Sequence, residues 1–291
     1  MDNPVPQRYN TLIPSIRNEA LPMIQDILPH QMHNQFLPQP APSGDDFVLC
    51  FQGGSVMAAE DKATFPRRRD FGDIPFTYLF SVDARAFYLC RDASVACPAG
   101  FAFRDLRVLR DTWEPSMDLL FAAYTGKHLA DWYRDTAFCG RCGKPMRPSE
   151  KERAMVCDCG NTVYPRIMPA VIVGVTNGDR LLLTRYRTGY GHNALVAGFV
   201  EIGETAEETV AREVMEETGL RVKNIRYYKS QPWGVANDLL LGYYCDLDGD
   251  GAIRMDENEL KYAEWVPKRE IVLQPGHISL TNEMMERFKN S

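Results

Sequence analysis

Residues 198–220 read GFVEIGETAEETVAREVMEETGL. Thr205 followed three residues later by Glu208 is a capping-box start, and Gly219 is a C-terminal stop, so the spacing predicts a helix over 206–218. Ala206, Val210 and Val214 recur at near-helical spacing and give that helix one side for packing, with the carboxylates facing outward. Glu213 and Glu217 stand four residues apart on one face, with Glu216 one turn from Glu213. Carboxylates this close repel one another unless something cationic lies against them, and hard oxygen donors suit Mg²⁺ or Mn²⁺. A solvated acidic helix would account for Glu207, Glu208 and Glu217. It leaves the glycines and Arg212, at their fixed offsets, without a reason.

Those offsets are Gly198, five residues, Glu204, seven residues, Arg212-Glu213, an aliphatic, any residue, Glu216-Glu217, any residue, Gly219 and an aliphatic. The pattern resembles the Nudix box, with every defining position filled. The resemblance implies an α/β/α sandwich in which a loop-helix-loop holds divalent cations while water attacks phosphorus in a nucleoside-diphosphate bridge. Metal ions suit this step because they neutralise phosphate oxygens and acidify the attacking water. No covalent intermediate is expected.

Length and composition fit an enzyme of about two domains: 291 residues, 45% hydrophobic, enough to fill two cores. The opening MDNPVPQRYNTLIPS has no basic stretch leading into an apolar one, and no apolar run reaches the ~18 residues of a membrane span. The expectation is a cytoplasmic protein with no membrane partner. A formal charge of −6 argues against broad attraction to nucleic acid. Arg67, Arg68 and Arg69 could make a local basic spot, but Asp70 and Asp73 follow them and favour a solvated loop.

Eight cysteines in such a chain read as thiols or metal ligands rather than disulfides. Cys139 and Cys142 form a C-x2-C followed by Gly143; after a 14-residue interval come Cys157 and Cys159, closed by Gly160. Four thiolates at this separation suit tetrahedral Zn²⁺ in a closed structural site. The second pair is C-x-C, one residue shorter than the usual knuckle, so its turn must be tighter. The alternative is four small buried cysteines. Cys50, Cys90 and Cys245 lie in apolar stretches and read as packing residues; Cys97 has no ligand spacing either.

Along the chain, residues 1–45 are rich in Pro, Asn and Gln and form an irregular segment, with a short helix expected around 19–27. Strands are expected at 47–51, 76–82 and 86–90, then a helical pattern at 116–135 that Gly126 divides in two, making an N-terminal α/β domain over 46–135. A zinc ribbon over 136–165 follows. The catalytic domain, 166–291, should hold a hairpin of 170–176 and 180–186 turned by Asn177-Gly178-Asp179, further strands at 222–230, 239–247 and 263–267, and a last helix at 281–289. Its sheet is expected to be mixed, with helices on both faces.

The ribbon before the box and Ser230-Gln231-Pro232-Trp233 after it resemble the NADH pyrophosphatase branch, which splits NADH or NAD⁺ into nicotinamide mononucleotide and AMP and in some members removes NAD caps from RNA. This likeness runs from about Phe138 to Pro267. It implies that Glu213, Glu217 and Glu259, with the backbone carbonyl of Ala197, bind the catalytic metals, and that Glu216 completes the catalytic cluster. Glu204 and Arg212 would brace the loop-helix-loop through a charge-assisted bond. Phe199 and Tyr164 match positions that stack on a nucleobase, Tyr164 coming from the second subunit of a homodimer, and Glu152 matches a substrate contact. The segment Gln231, Pro232, Trp233, Gly234, Val235, Ala236, Asn237 and Asp238 would frame the dinucleotide. Where the family continues Pro-Phe-Pro and, after one residue, a small hydroxyl residue, this chain has Gly234-Val235-Ala236-Asn237-Asp238, which bears on the nicotinamide side and on the choice between NADH and NAD⁺. Two other readings stand beside it. One keeps the chemistry and changes the substrate to ADP-ribose, another nucleoside-diphosphate derivative or NAD-capped RNA; the other is a non-catalytic dinucleotide or nucleic-acid sensor.

Overall fold

The computed structural model describes residues 23–291 apart from 39, 61–63, 93, 113–115, 190 and 277. Six strands form the N-terminal sheet: β1 (Met32–His33), β2 (Phe47–Gln52), β3 (Ser55–Ala59), β4 (Thr77–Val82), β5 (Arg85–Cys90) and β6 (Phe101–Asp105), in the order β1-β4-β5-β2-β3-β6. Alternation along β2 sorts its side chains. Phe47 and Leu49 join the core beneath the helices α1 (Leu106–Thr112) and α2 (Met117–Asp135), whereas Val48 and Cys50 join a smaller core with Met57 and Cys90 on the other face.

Three expectations change here. Gly126 does not divide 116–135; α2 is one helix, and a Cβ at Gly126 would run into Leu49 of β2. The glycine lets the helix lie close on the sheet, so contact offsets its low helical propensity. Of the helix expected at 19–27, residues 19–22 lie outside the described residues, and 23–27 form turns. Their side chains instead fill gaps in two cores, Met23 in the C-terminal domain and Ile24 and Ile27 in the N-terminal one. Strand β1 also lies inside the segment read as irregular; its two residues take their register from β4 and carry no pattern of their own.

The ribbon is a small sheet of β7 (Arg147–Pro148), β8 (Met155–Val156) and β9 (Thr162–Val163). Beyond it come β10 (Met168–Asn177), β11 (Arg180–Tyr186), β12 (Val196–Phe199), α3 (Ala206–Thr218), β13 (Arg221–Trp233), β14 (Asp238–Asp248), β15 (Leu260–Pro267) and α4 (Leu280–Lys289). The order is β13-β14-β10-β11-β15, with β12 added beside β10; only β10 and β14 are parallel, so the sheet is mixed. Along β10, Val171, Val173 and Val175 face Val210 and Val214 of α3, while Ala170 and Ile172 face Leu280, Met284 and Met285 of α4. A buried strand apolar on both faces therefore makes an α/β/α sandwich. Burial of each α3 valine contributes about 1.5–3 kcal/mol. Among the described residues no helix is long and apolar enough to cross a membrane.

Candidate active site

Helix α3 begins and ends where its residues dictate. Thr205 Oγ1 accepts from the Glu208 N–H at 3.2 Å, the Glu208 carboxylate accepts from the Thr205 N–H at 2.8 Å, and Gly219 closes the helix in the left-handed conformation, φ 69°. With Val210 and Val214 pinned to the sheet, the next face of the helix presents Glu213 and Glu217 to β12. A Cβ on Gly198 would overlap the Glu213 carboxylate, so only glycine there lets the strand and the acid meet. The expected outward-facing carboxylates are thus split by this packing. Glu217 is 2% exposed and Glu213 mostly covered, whereas Glu216 is open to solvent.

Arg212 organises the charges. Its guanidinium donates to Glu204 at 2.7 and 3.0 Å, to the Phe199 carbonyl at 3.0 Å, to Glu213 at 2.7 Å and to Glu216 at 2.8 Å. Its hydrogen bond holds Glu204 down at about 2, helped by the Thr209 hydroxyl. One cation still cannot neutralise the whole cluster. Glu213 sits above the ordinary carboxylate range because burial outweighs Arg212. Burial pushes Glu217 up to about 8 against a stabilising Ala197 N–H, and the nearby charges of Glu213, Glu259 and Asp256 add to the rise. Its Oε2 is buried without a hydrogen-bond partner. An orphaned buried oxygen among carboxylates costs free energy until a proton or a cation meets it, and these oxygen donors fit a hard divalent cation. The Ala197 carbonyl lies on the same strand edge as its N–H, because both point the same lateral way in a strand.

Two participants escaped the sequence reading. Tyr186, at the end of β11, has its phenol pushed far up by burial and by the charges of Glu217, Glu213 and Glu259, which places the ring among them. Asp256 donates its N–H to the Glu217 carbonyl at 2.9 Å. Neither has a local signal, since each arrives from another part of the sheet; Glu259, exposed, comes in beside Asp256.

The other candidate residues gather at one end of the sheet. Phe199 of β12 and Leu240 of β14 both pair with Ala170, which puts Phe199 and Leu240 on either side of β10, roughly 10 Å apart by strand spacing, with the 234–238 turn just before Leu240. Phe199 and Tyr164 are exposed, and the Tyr164 hydroxyl donates to Glu152 at 3.0 Å. The segment 231–238 is divided rather than uniformly open. Gln231 is fully buried; its amide donates to Gln25 and to the Ile278 carbonyl, each at 2.9 Å, and its oxygen accepts from Leu280 N–H at 2.7 Å. Through these bonds it braces the start of α4. Trp233 packs against both the N-terminal and the C-terminal cores, and Gly234 lies tight against the Tyr124 carbonyl of α2. Pro232, Val235 and Ala236 face outward. Asn237 and Asp238 each hold a buried, unpartnered side-chain oxygen, and burial pushes Asp238 up to about 6.

In the ribbon all four cysteines converge, their sulfurs within 4.8 Å of one another. Cys139 and Cys159 Sγ lie 3.7 Å apart, Cys142 and Cys157 3.5 Å. A tetrahedron with Zn–S of ~2.3 Å has edges of about 3.8 Å, so the spacing suits zinc, short C-x-C knuckle included. Burial alone would raise Cys139, but the backbone N–H groups of Arg141 and Cys142 and the Asn161 amide bring it down to about 6, toward the thiolate a metal needs. The basic spot at 67–69 is spent locally: Arg67 lies 4.2 Å over the Phe47 ring, Arg68 bonds the Phe71 and Gly72 carbonyls, and Arg69 pairs with Asp45.

Comparison with known proteins adds to this geometry. Residues 166–288 match the NUDIX domain and residues 134–164 the NADH pyrophosphatase zinc ribbon domain. The chain is 41% identical over 186 residues to the NAD-capped RNA hydrolase NudC of Klebsiella pneumoniae, covering 62% of this chain and 71% of that protein. It is 40% identical over 184 residues to the protein of the same name from Salmonella typhi, with the same coverage. A NUDIX hydrolase crystal structure from Nitrosomonas europaea superposes at TM-score 0.47 and 22% identity, over 53% of this chain and 90% of that one.

Proposed function

Because the chain belongs to the Nudix hydrolases, in the branch that carries the NADH pyrophosphatase zinc ribbon, we propose that it hydrolyses the diphosphate bridge of NADH or NAD⁺ to AMP and nicotinamide mononucleotide. The observation that carries this reading is the unpartnered, buried oxygen of Glu217 beside Glu213 on the box helix. Glu213, Glu217 and Glu259, with the Ala197 carbonyl, would hold Mg²⁺ or Mn²⁺. Such an ion supplies charge neutralisation on phosphate oxygens and a more acidic bound water. Arg212 holds Glu213 and Glu216 in place, so that Glu216 can orient a water for attack at phosphorus. The phosphoanhydride P–O bond breaks as the new one forms, and its electron pair leaves with the departing phosphate. Phe199 and Tyr164 offer ring faces to a base, and Glu152 fixes the Tyr164 hydroxyl.

Division of labour follows the units 46–135, 136–165 and 166–291, with the segment 1–45 ahead of them. A homodimer is supported by the exposed apolar residues Phe138 (66%), Tyr164, Ile167, Phe199 and Ile202, which cluster in sequence around the ribbon and β12. A cytoplasmic setting suits four thiolates kept reduced for a metal. NAD-capped RNA is the second reading, favoured by the names of the Klebsiella and Salmonella relatives. The test is incubation with NADH and Mg²⁺ or Mn²⁺, with and without chelator, followed by chromatography for AMP. Cation-dependent AMP release is expected; binding of NADH without turnover would instead make the protein a sensor. Parallel assays with NAD-capped RNA rank the two substrates, and sedimentation of active protein as a monomer would remove the dimer.

A further inference from the structure

Arg153 sits in the ribbon turn between β7 and β8 and points inward, away from its exposed neighbour Glu152. Its Nη2 donates to the Leu79 carbonyl at 2.6 Å and the Asn34 carbonyl at 3.3 Å, and its Nη1 is buried without a partner. Both carbonyls are free for a reason. The pairing of β4 with β5 slips between Tyr78 and Phe80, which leaves Leu79 as the extra residue of a bulge, and Asn34 follows directly on the end of β1. Burial pushes the guanidinium below its ordinary range, and the ionisable groups beside it are the phenols of Tyr133 and Tyr78, which are neutral at physiological pH, rather than a carboxylate. A buried arginine with one idle nitrogen is a poor device for stability alone. On one side of it come the buried Ala154 and Met155, the latter the first residue of β8 and part of the N-terminal core, and on the other Glu152, which holds Tyr164.

We propose that Arg153 is a positioning residue through which the N-terminal domain sets the Glu152–Tyr164 pair for substrate binding. The proposal rests on the reading that Glu152 and Tyr164 contact the dinucleotide, and it gives the N-terminal sheet a task in the reaction: the Leu79 carbonyl of β4 and the Asn34 carbonyl just past β1 fix the turn from behind. Glu152 then reaches Tyr164 from a fixed backbone rather than from a swinging loop, so less freedom is lost when substrate binds.

The test is a double-mutant cycle on the full-length, zinc-loaded protein, with steady-state NADH hydrolysis as the assay. Glu152→Ala is expected to raise KM. Arg153→Met, which keeps the apolar stem, is expected to raise KM about tenfold with kcat within about twofold, and Arg153→Lys, which can still donate to one carbonyl, to recover most of the loss. The Glu152→Ala/Arg153→Met double variant should be little worse than Glu152→Ala alone, since the two act through one contact. Zinc content and melting temperature are followed throughout; if Arg153→Met loses either, the cycle is run with Arg153→Leu, which also removes both donors. Additive effects, or a change confined to kcat, would overturn the positioning role while leaving Glu152 as a substrate contact. A Glu152→Ala protein with unchanged KM would remove the substrate-contact reading itself, and the proposal with it.

Discussion

The ribbon and the box helix both crowd like-charged ligands together, yet they solve the problem in opposite ways. In the ribbon four sulfurs approach one another within 4.8 Å, with Cys139 and Cys157 buried and backbone amides donating to Cys139, a set of four that satisfies one tetrahedral ion. Among the described residues no carboxylate group converges as tightly. Around α3 the acids are staggered instead: Glu217 buried, Glu213 half-neutralised by Arg212, Glu216 and Glu259 open to solvent. A site that stores stability is closed on itself, and a site that must admit water and a polyanion keeps unfilled positions. The cost of burying one acid of the set is visible in Glu217, whose carboxyl is raised to about 8 by burial.

Glu217→Gln is the sharpest way to separate the two regions. It should cut AMP release by orders of magnitude while zinc content is unchanged and the melting temperature does not fall; near-normal turnover would sink the ligand assignment. The reverse pattern is expected of Cys139→Ser, which should release zinc, measured by metal analysis, and lower the melting temperature by about 5 °C or more. A variant that keeps both its metal and its melting point would mean the sulfur cluster is not a structural site. Gly198→Ala tests how closely the acids must be placed. By driving the Glu213 carboxylate off β12 it should lower activity about tenfold without affecting zinc, and unchanged kinetics would show that the close approach is dispensable.

The smallest effect concerns Asp238, raised by burial from its ordinary 3.8 to about 6. The folded state therefore holds a proton that the unfolded chain has already released, and stability should fall as pH rises from about 4 through about 6. Asp238→Asn removes that slope and should be the more stable protein at pH 7 by about 1 kcal/mol, less than the full shift because an unpaired amide replaces the acid. Urea midpoints for parent and variant across pH 4–8 measure it; parallel curves would show that Asp238 is not protonated in the fold.

Much of the site was legible because it is local. Thr205, Glu208, Arg212, Glu213, Glu217 and Gly219 lie within one helix and its caps, and helix 206–218 follows from their spacing alone. The four cysteines were legible for the same reason, as two short knuckles. Misreadings fell where long-range packing overrides local preference. Gly126 reads as a helix breaker and is in fact a contact with β2, and the helix read at 19–27 gives way to turns over 23–27. Tyr186, Asp256 and Arg153 carry no motif, because each gains its surroundings from a strand or turn that arrives from elsewhere in the chain.

The sequence by itself determined which residues carry charge and soft ligands, and the periodicities that make α3 a helix and β10 a strand apolar on both faces. Tertiary structure alone decided which acid is buried and which stays wet, since that depends on how close β12 may come to α3. It likewise decided that a turn in the ribbon is held from behind by the N-terminal sheet. Burial and partner choice are properties of surfaces brought together across the chain, and no window of consecutive residues encodes them.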